Sequence, residues 1–156
     1  MALFTTLYSG PSGNCGLVLQ DGRYLLIDMG KSCRTTLRAL KSLGLAVSDC
    51  EGILITHEHA DHVSGLDTFL KHYSVPVFAG ADTLDALDSR GVIPPAVDAV
   101  AIDGRTEEIG GFMVHAFPTS HDVPCCGYRI RTRDGHTMAL ATDLGIVTPV
   151  VAQNLA

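Results

Sequence analysis

The sequence contains no tryptophan, and only 6% of its 156 residues are aromatic. Proteins that hold single strands of nucleic acid by stacking bases on rings need more rings than this, so that mode of binding is poorly supported. Positive charge is scarce as well. Eleven Lys and Arg stand against 17 Asp and Glu, a net charge of −6, which excludes a global basic field for a phosphate backbone. Bound cations reverse that sign locally, so a site built on metal remains open to phosphate. Met1-Ala2-Leu3-Phe4-Thr5 lacks the positive start of a secretory signal, and no apolar run approaches membrane-spanning length. No membrane partner is expected. The cysteines at 15, 33, 50, 125 and 126 are odd in number and widely spaced, with no Cys-x-x-Cys. That argues against a disulfide framework and for a reducing cytoplasm. The adjacent pair Cys125-Cys126 reads as small apolar fillers near the start of a strand.

What the sequence does have is 46% hydrophobic residues with 18% charged, enough for one folded domain over residues 1–156. Strands are expected over residues 2–8, 16–20 and 23–27, the last two joined by the hairpin signal Asp21-Gly22. Ser32 can cap a helix reaching about Leu43, with Gly44 as its left-handed stop. Residues 52–55 form a continuous apolar run, as in a strand covered on both faces. Val63, Leu66 and Leu70 then recur at helical spacing. A strand over 75–79 and a helix capped by Asp82 and ending near Ser89 follow. Beyond Pro94-Pro95 the character changes to antiparallel β, with strands over 97–102, 111–117, 128–133 and 137–141. Thr148-Pro149 has the form of a helix start.

The chemistry is concentrated in His57-Glu58-His59-Ala60-Asp61-His62, directly after the apolar run. Three imidazoles and the Asp61 carboxylate suit zinc and other first-row metals. A strand that stops at Thr56 releases the backbone into a loop that can gather these side chains. Four ligands on one short loop cannot all reach a single ion without strain, so two neighbouring ions are the natural reading. His121 and Asp143 also stand where strands end, the positions from which loops assemble a site. Asp143 is the best candidate to bridge two cations, since a carboxylate between them partly neutralises both. Asp28, at the end of another strand, either hydrogen-bonds the ligand loop or caps the turn before Gly30. His72, His115 and His136 read as structural. Arg129, Arg131 and Arg133 share one strand face, read as solvated, with phosphate contact as the sharper alternative.

The chain resembles the metallo-β-lactamase superfamily over its whole length, through Asp28, the motif at 57–62, His121 and Asp143. Within it, the chain is similar to the WalJ/YycJ type through Ser9-Gly10-Pro11-Ser12-Gly13-Asn14-Cys15, Leu26-Ile27-Asp28-Met29-Gly30, Thr119-Ser120-His121-Asp122 and Ala141-Thr142-Asp143-Leu144-Gly145. The resemblance implies an α/β fold of the αββα sandwich type, with His57, His59 and His121 on one metal, Asp61 and His62 on the other, and Asp143 between them. It implies two Zn2+ ions, with Mn2+ as the other candidate metal, and a dinuclear phosphodiesterase or DNA exonuclease acting through hydroxide formed at the metals. Asp61 would orient that hydroxide, and Asp28 would support the ligands from behind. Nucleic acid is the expected partner, DNA more than RNA. Where zinc β-lactamases usually carry Cys, this sequence has Asp143, so antibiotic hydrolysis is not expected. The alternatives are a thioester or lactone hydrolase of the same fold and a non-catalytic metal-binding fragment. The family carries a further C-terminal histidine that has no counterpart here, so the chain is expected to be the first three-fifths of such an enzyme. The C-terminal part of the fold would then be missing, and uncovered apolar surface would favour a homo-oligomer.

Overall fold

Alternation along the strand Arg23–Ile27 (β3) sorts its side chains into two cores. Tyr24 and Leu26 enter one with helix residues such as Leu40, Phe69 and Leu87. Leu25 and Ile27 enter the other with Phe112, Val114, Tyr128 and Ile130 from a second sheet. A strand buried on both faces must be apolar throughout, and β3 is, after its exposed first residue. The computed structural model describes residues 2–10, 13–119 and 125–140. Among these, one layer of helices covers a first sheet, and a second sheet packs against that sheet's other face.

The first sheet has the order β1-β2-β3-β4-β5-β6. Its members besides β3 are β1 (Ala2–Tyr8), β2 (Cys15–Gln20), β4 (Cys50–Leu54), β5 (Val77–Ala79) and β6 (Ala99–Ala101). Asp21 and Gly22 join β2 to β3 with φ of 53° and 77°, the paired left-handed values a two-residue turn of this hand requires. From β3 to β6 the pairing is parallel, so each connection must cross over, and each carries helix. The helices are α1 (Cys33–Ser42), the short α2 (Ala60–Val63) with α3 (Leu66–His72), and α4 (Ala81–Ser89). The Ser32 hydroxyl accepts the Thr35 amide at 3.1 Å to start α1. The antiparallel second sheet runs β10-β9-β8-β7, formed by β7 (Thr106–Ile109), β8 (Phe112–Thr119), β9 (Cys125–Arg131) and β10 (Thr137–Leu140).

Three expectations change. Residues 57–62 are not wholly loop, because Ala60–Val63 close one helical turn that carries Asp61 and His62. Asp82 does not cap α4. Gly80 holds that position, and the Asp103 carboxylate accepts the Ala81 amide at 2.7 Å from across the fold. The strand expected over 97–102 belongs to the first sheet, in parallel pairing with β5, so the antiparallel region begins later, at β7. Thr106–Ile109 has no apolar alternation to announce a strand. It forms because Gly110 and Gly111, with φ of 54° and 89°, turn the chain back to pair with Phe112 and its successors. Arg129, Arg131 and Arg133 are exposed, as a solvated face requires. No helix among the described residues is long and apolar enough to cross a membrane.

Candidate metal centre

Parallel strands end together, and their carboxyl edge is where α/β sheets gather functional loops. Asp28 leaves β3 there, and Thr56 and His57 follow β4. Asp28 adopts φ 64°, a left-handed conformation that directs it back across the neighbouring strand. Its amide donates to Leu54 O at 2.7 Å. Its carboxylate accepts the Thr56 amide on Oδ1 and the Thr56 hydroxyl on Oδ2, both at 2.7 Å. His62 Nδ1 lies 2.6 Å from the same Oδ2. Burial pushes the Asp28 carboxyl up from its ordinary value, and the hydrogen bonds from His62 and Thr56 oppose that shift.

Thr56 settles the histidine tautomers. Its single hydroxyl proton goes to Asp28, so toward His57 Nδ1, 2.9 Å away, the oxygen accepts. His57 therefore donates from Nδ1, and so does His62 toward Asp28. Both rings then carry their lone pair on Nε2, the arrangement in which a histidine's second nitrogen fixes its orientation as a ligand. His57 and His62 are fully buried, with ring centroids 4.0 Å apart, while His59 stands 4.9 Å from His57.

The donor atoms of His57, His59 and Asp61 lie within 4.8 Å of one another. His62 Nε2 is 3.4 Å from Asp61 Oδ2, so the fourth member of the motif adjoins the same cluster. Two imidazoles and a carboxylate, all converging, form a donor set suited to a divalent first-row metal. His121 and Asp143 lie outside the described residues. Among the described residues, Thr119 pairs with Cys125, and the Cys126 amide donates to Thr56 O at 2.8 Å.

The three other histidines stand apart from this cluster. His115 faces Thr106 at 3.2 Å, and His136 pairs with Asp134 at 3.0 Å. His72 ends α3. Sequence reasoning missed several residues that hold the loop. Thr56 is the hub just described. The Arg90 guanidinium grips the loop between its first two histidines, reaching the Glu58 carboxylate at 2.9 Å and the Glu58 carbonyl at 3.1 Å. Tyr128, fully buried in the second sheet, donates to Ile55 O at 2.5 Å. Arg90 and Tyr128 act on residues distant in sequence, and Thr56 takes its role from Asp28, 28 residues away.

Comparison with known proteins places this geometry in a family. Residues 23–156 match the Beta-lactamase superfamily domain. The chain is 34% identical over 146 residues to Exodeoxyribonuclease YycJ of Bacillus anthracis, covering 93% of this chain and 55% of that protein. It is 28% identical over 152 residues to Exodeoxyribonuclease WalJ of Streptococcus pneumoniae, covering 96% of this chain and 56% of that protein. The chain thus spans a little over half the length of these relatives. Among solved structures, a Cronobacter sakazakii metallo-beta-lactamase with a HARLDQ motif superposes with a TM-score of 0.70 at 22% identity, covering 91% of this chain and 66% of the other.

Proposed function

The chain belongs to the beta-lactamase superfamily, and from that premise we propose that it is a metal-dependent hydrolase of phosphodiester bonds in nucleic acid, DNA before RNA. The observation that carries this reading is the convergence of His57, His59 and Asp61 donors within 4.8 Å, on a segment where His57 and His62 are held through Thr56 and Asp28. His57, His59, Asp61 and His62 would hold metal, with His121 and Asp143 completing a dinuclear set. Zn2+ suits these donors best, and Mn2+ is the second choice. The chemistry that divalent metal supplies in such a site is acidification of water to near neutral pH and neutralisation of charge on a phosphoryl oxygen.

The chain's own residues do the rest. Buried Asp28 and Thr56 keep the protons of the His57 and His62 rings on Nδ1, so these two imidazoles need no reorganisation when they act. Asp61 keeps its side chain about one-third exposed, accessible to solvent and substrate, and orients the attacking water by accepting a hydrogen bond from it. Tyr128 of the second sheet donates to Ile55 O, two residues before the motif, and anchors the strand end from which the motif departs. YycJ and WalJ are named for exodeoxyribonuclease activity, which is why DNA comes first here.

The test is elemental analysis followed by assays on end-labelled DNA, end-labelled RNA, bis-p-nitrophenyl phosphate and a generic thioester, each with and without a chelator. Chelator-sensitive cleavage of DNA and of the phosphodiester is expected. Thioester turnover without phosphodiester turnover would replace the reading with a small-molecule hydrolase. Bound metal with neither activity would leave a metal-binding fragment.

A further inference from the structure

Asn14 has no part in the metal reading so far, yet it lies against Asp61. Asn14 makes three contacts with that one residue. Its amide donates to Asp61 O at 2.7 Å, and its side-chain Nδ2 reaches Asp61 O at 3.2 Å and the Asp61 carboxylate Oδ2 at 3.3 Å. The Asn14 side chain is itself held in place. Gly10 donates its amide to Asn14 Oδ1 at 3.2 Å, and Gly10 O accepts from Nδ2 at 3.1 Å. Behind it, the Gly30 amide donates to Asn14 O at 2.9 Å. The backbones of residues 14, 30 and 61 cross so closely that a Cβ on Gly30 would stand 1.8 Å from Asp61 O and 2.4 Å from Asn14 N.

Asp61 needs such support. It belongs to a single helical turn, too short to be rigid by itself, and its side chain is about one-third exposed. His62 is fixed by Asp28, and His57 by Thr56. Within the described donor cluster the Asp61 carboxylate would otherwise rotate about its Cβ–Cγ bond. We propose that Asn14 is the positioning residue of the Asp61 carboxylate, clamping its backbone with one pair of hydrogen bonds and setting its rotation with a third. This inference rests on the metal reading above. It gives Asn14 a specific role, in which Gly13, whose added Cβ would stand 2.6 Å from Gly30 O, allows the close approach and the asparagine sets the angle at which a ligand carboxylate faces metal.

A double-mutant cycle on zinc affinity tests it, read by competition with a chromophoric chelator and needing no substrate. Asn14→Ala should weaken zinc binding by roughly 10–100-fold, the usual effect of removing a hydrogen-bond partner of a ligand. In an Asp61→Ala background, where the backbone contacts persist and the carboxylate is gone, Asn14→Ala should change affinity by less than about twofold. Melting temperatures of the metal-free variants monitor the fold. If the alanine variant does not fold, Asn14→Ser replaces it, since its shorter hydroxyl can still serve the Gly10 turn but falls short of the Asp61 carboxylate. An unchanged affinity in the single variant, or an equal loss in both backgrounds, would overturn the inference while leaving the metal reading intact. A wild-type chain that binds no zinc would overturn both.

Discussion

Replacing Gly30 by alanine should damage the candidate centre without touching a single ligand. Gly30 does not need its conformational freedom, since its φ is not positive; it needs the absence of a side chain. An added Cβ would meet Asp61 O at 1.8 Å and Asn14 N at 2.4 Å, both backbone atoms that no rotamer change can move aside. Restoring ordinary contact at 3.4 Å requires the Asp61 carbonyl to retreat by about 1.6 Å. That retreat breaks Asn14 N to Asp61 O, and strains Gly30 N to Asn14 O and Met29 N to His62 O, bonds of 2.7, 2.9 and 2.7 Å. At roughly 1 kcal/mol per bond, the cost runs from about 1 kcal/mol for the broken bond alone to about 3 kcal/mol if the two strained ones are lost as well, the range overpacking usually costs. A ligand carboxylate displaced by more than an ångström should also lose most of its contribution to metal binding. Gly16→Ala is the control, because its Cβ would meet Ile27 at an ordinary 3.7 Å. Urea unfolding of the metal-free variants gives the change in stability, and zinc competition gives the affinity. Gly30→Ala within about 0.5 kcal/mol of wild type, with unchanged zinc affinity, would refute the claim that three backbones cross there.

Further outcomes follow from the same contacts. His59→Ala should abolish metal binding and any hydrolysis while His72→Ala leaves both nearly unchanged, and full activity in metal-replete His59→Ala would end the metallohydrolase reading. Arg90→Ala should alter stability by less than about 1 kcal/mol, because the guanidinium is half exposed. It should nevertheless weaken zinc binding by up to about 10-fold by freeing Glu58 between two ligand histidines, and equal zinc titrations for the two proteins would show the grip to be incidental. Cys15 and Cys50 should resist a disulfide reagent at pH 8 in the native protein and react on unfolding. Burial raises both thiols well above their ordinary value, Cys50 to about 12, so almost no thiolate is present. Peptide mapping that finds either residue modified in the folded protein would contradict the burial.

Much was legible in the sequence because it was encoded locally. The motif at 57–62 declares its donors by residue type and spacing, and Asp21-Gly22 and Ser32 declare a turn and a cap that depend on adjacent atoms alone. The apolar run at 52–55 was readable as a strand buried on both faces, because burial on two sides leaves no polar position to alternate. The cap of α4 was misread for the complementary reason. Asp82 has the right chemistry two residues beyond the cap position, but the carboxylate that accepts the Ala81 amide is Asp103, which is brought there only when β6 aligns beside β5.

The same division runs through the site. Sequence alone determined which side chains can bind metal, because ligand chemistry belongs to the residue. Tertiary structure decided which ring nitrogen His57 and His62 present, since Thr56 and Asp28 meet only when β3 and β4 pair in register. It also decided that Asn14, Gly30 and Arg90 serve the loop, for the contacts that orient a ligand come from strands and helices far away along the chain. Donor identity is a local property, whereas donor orientation is a property of packing.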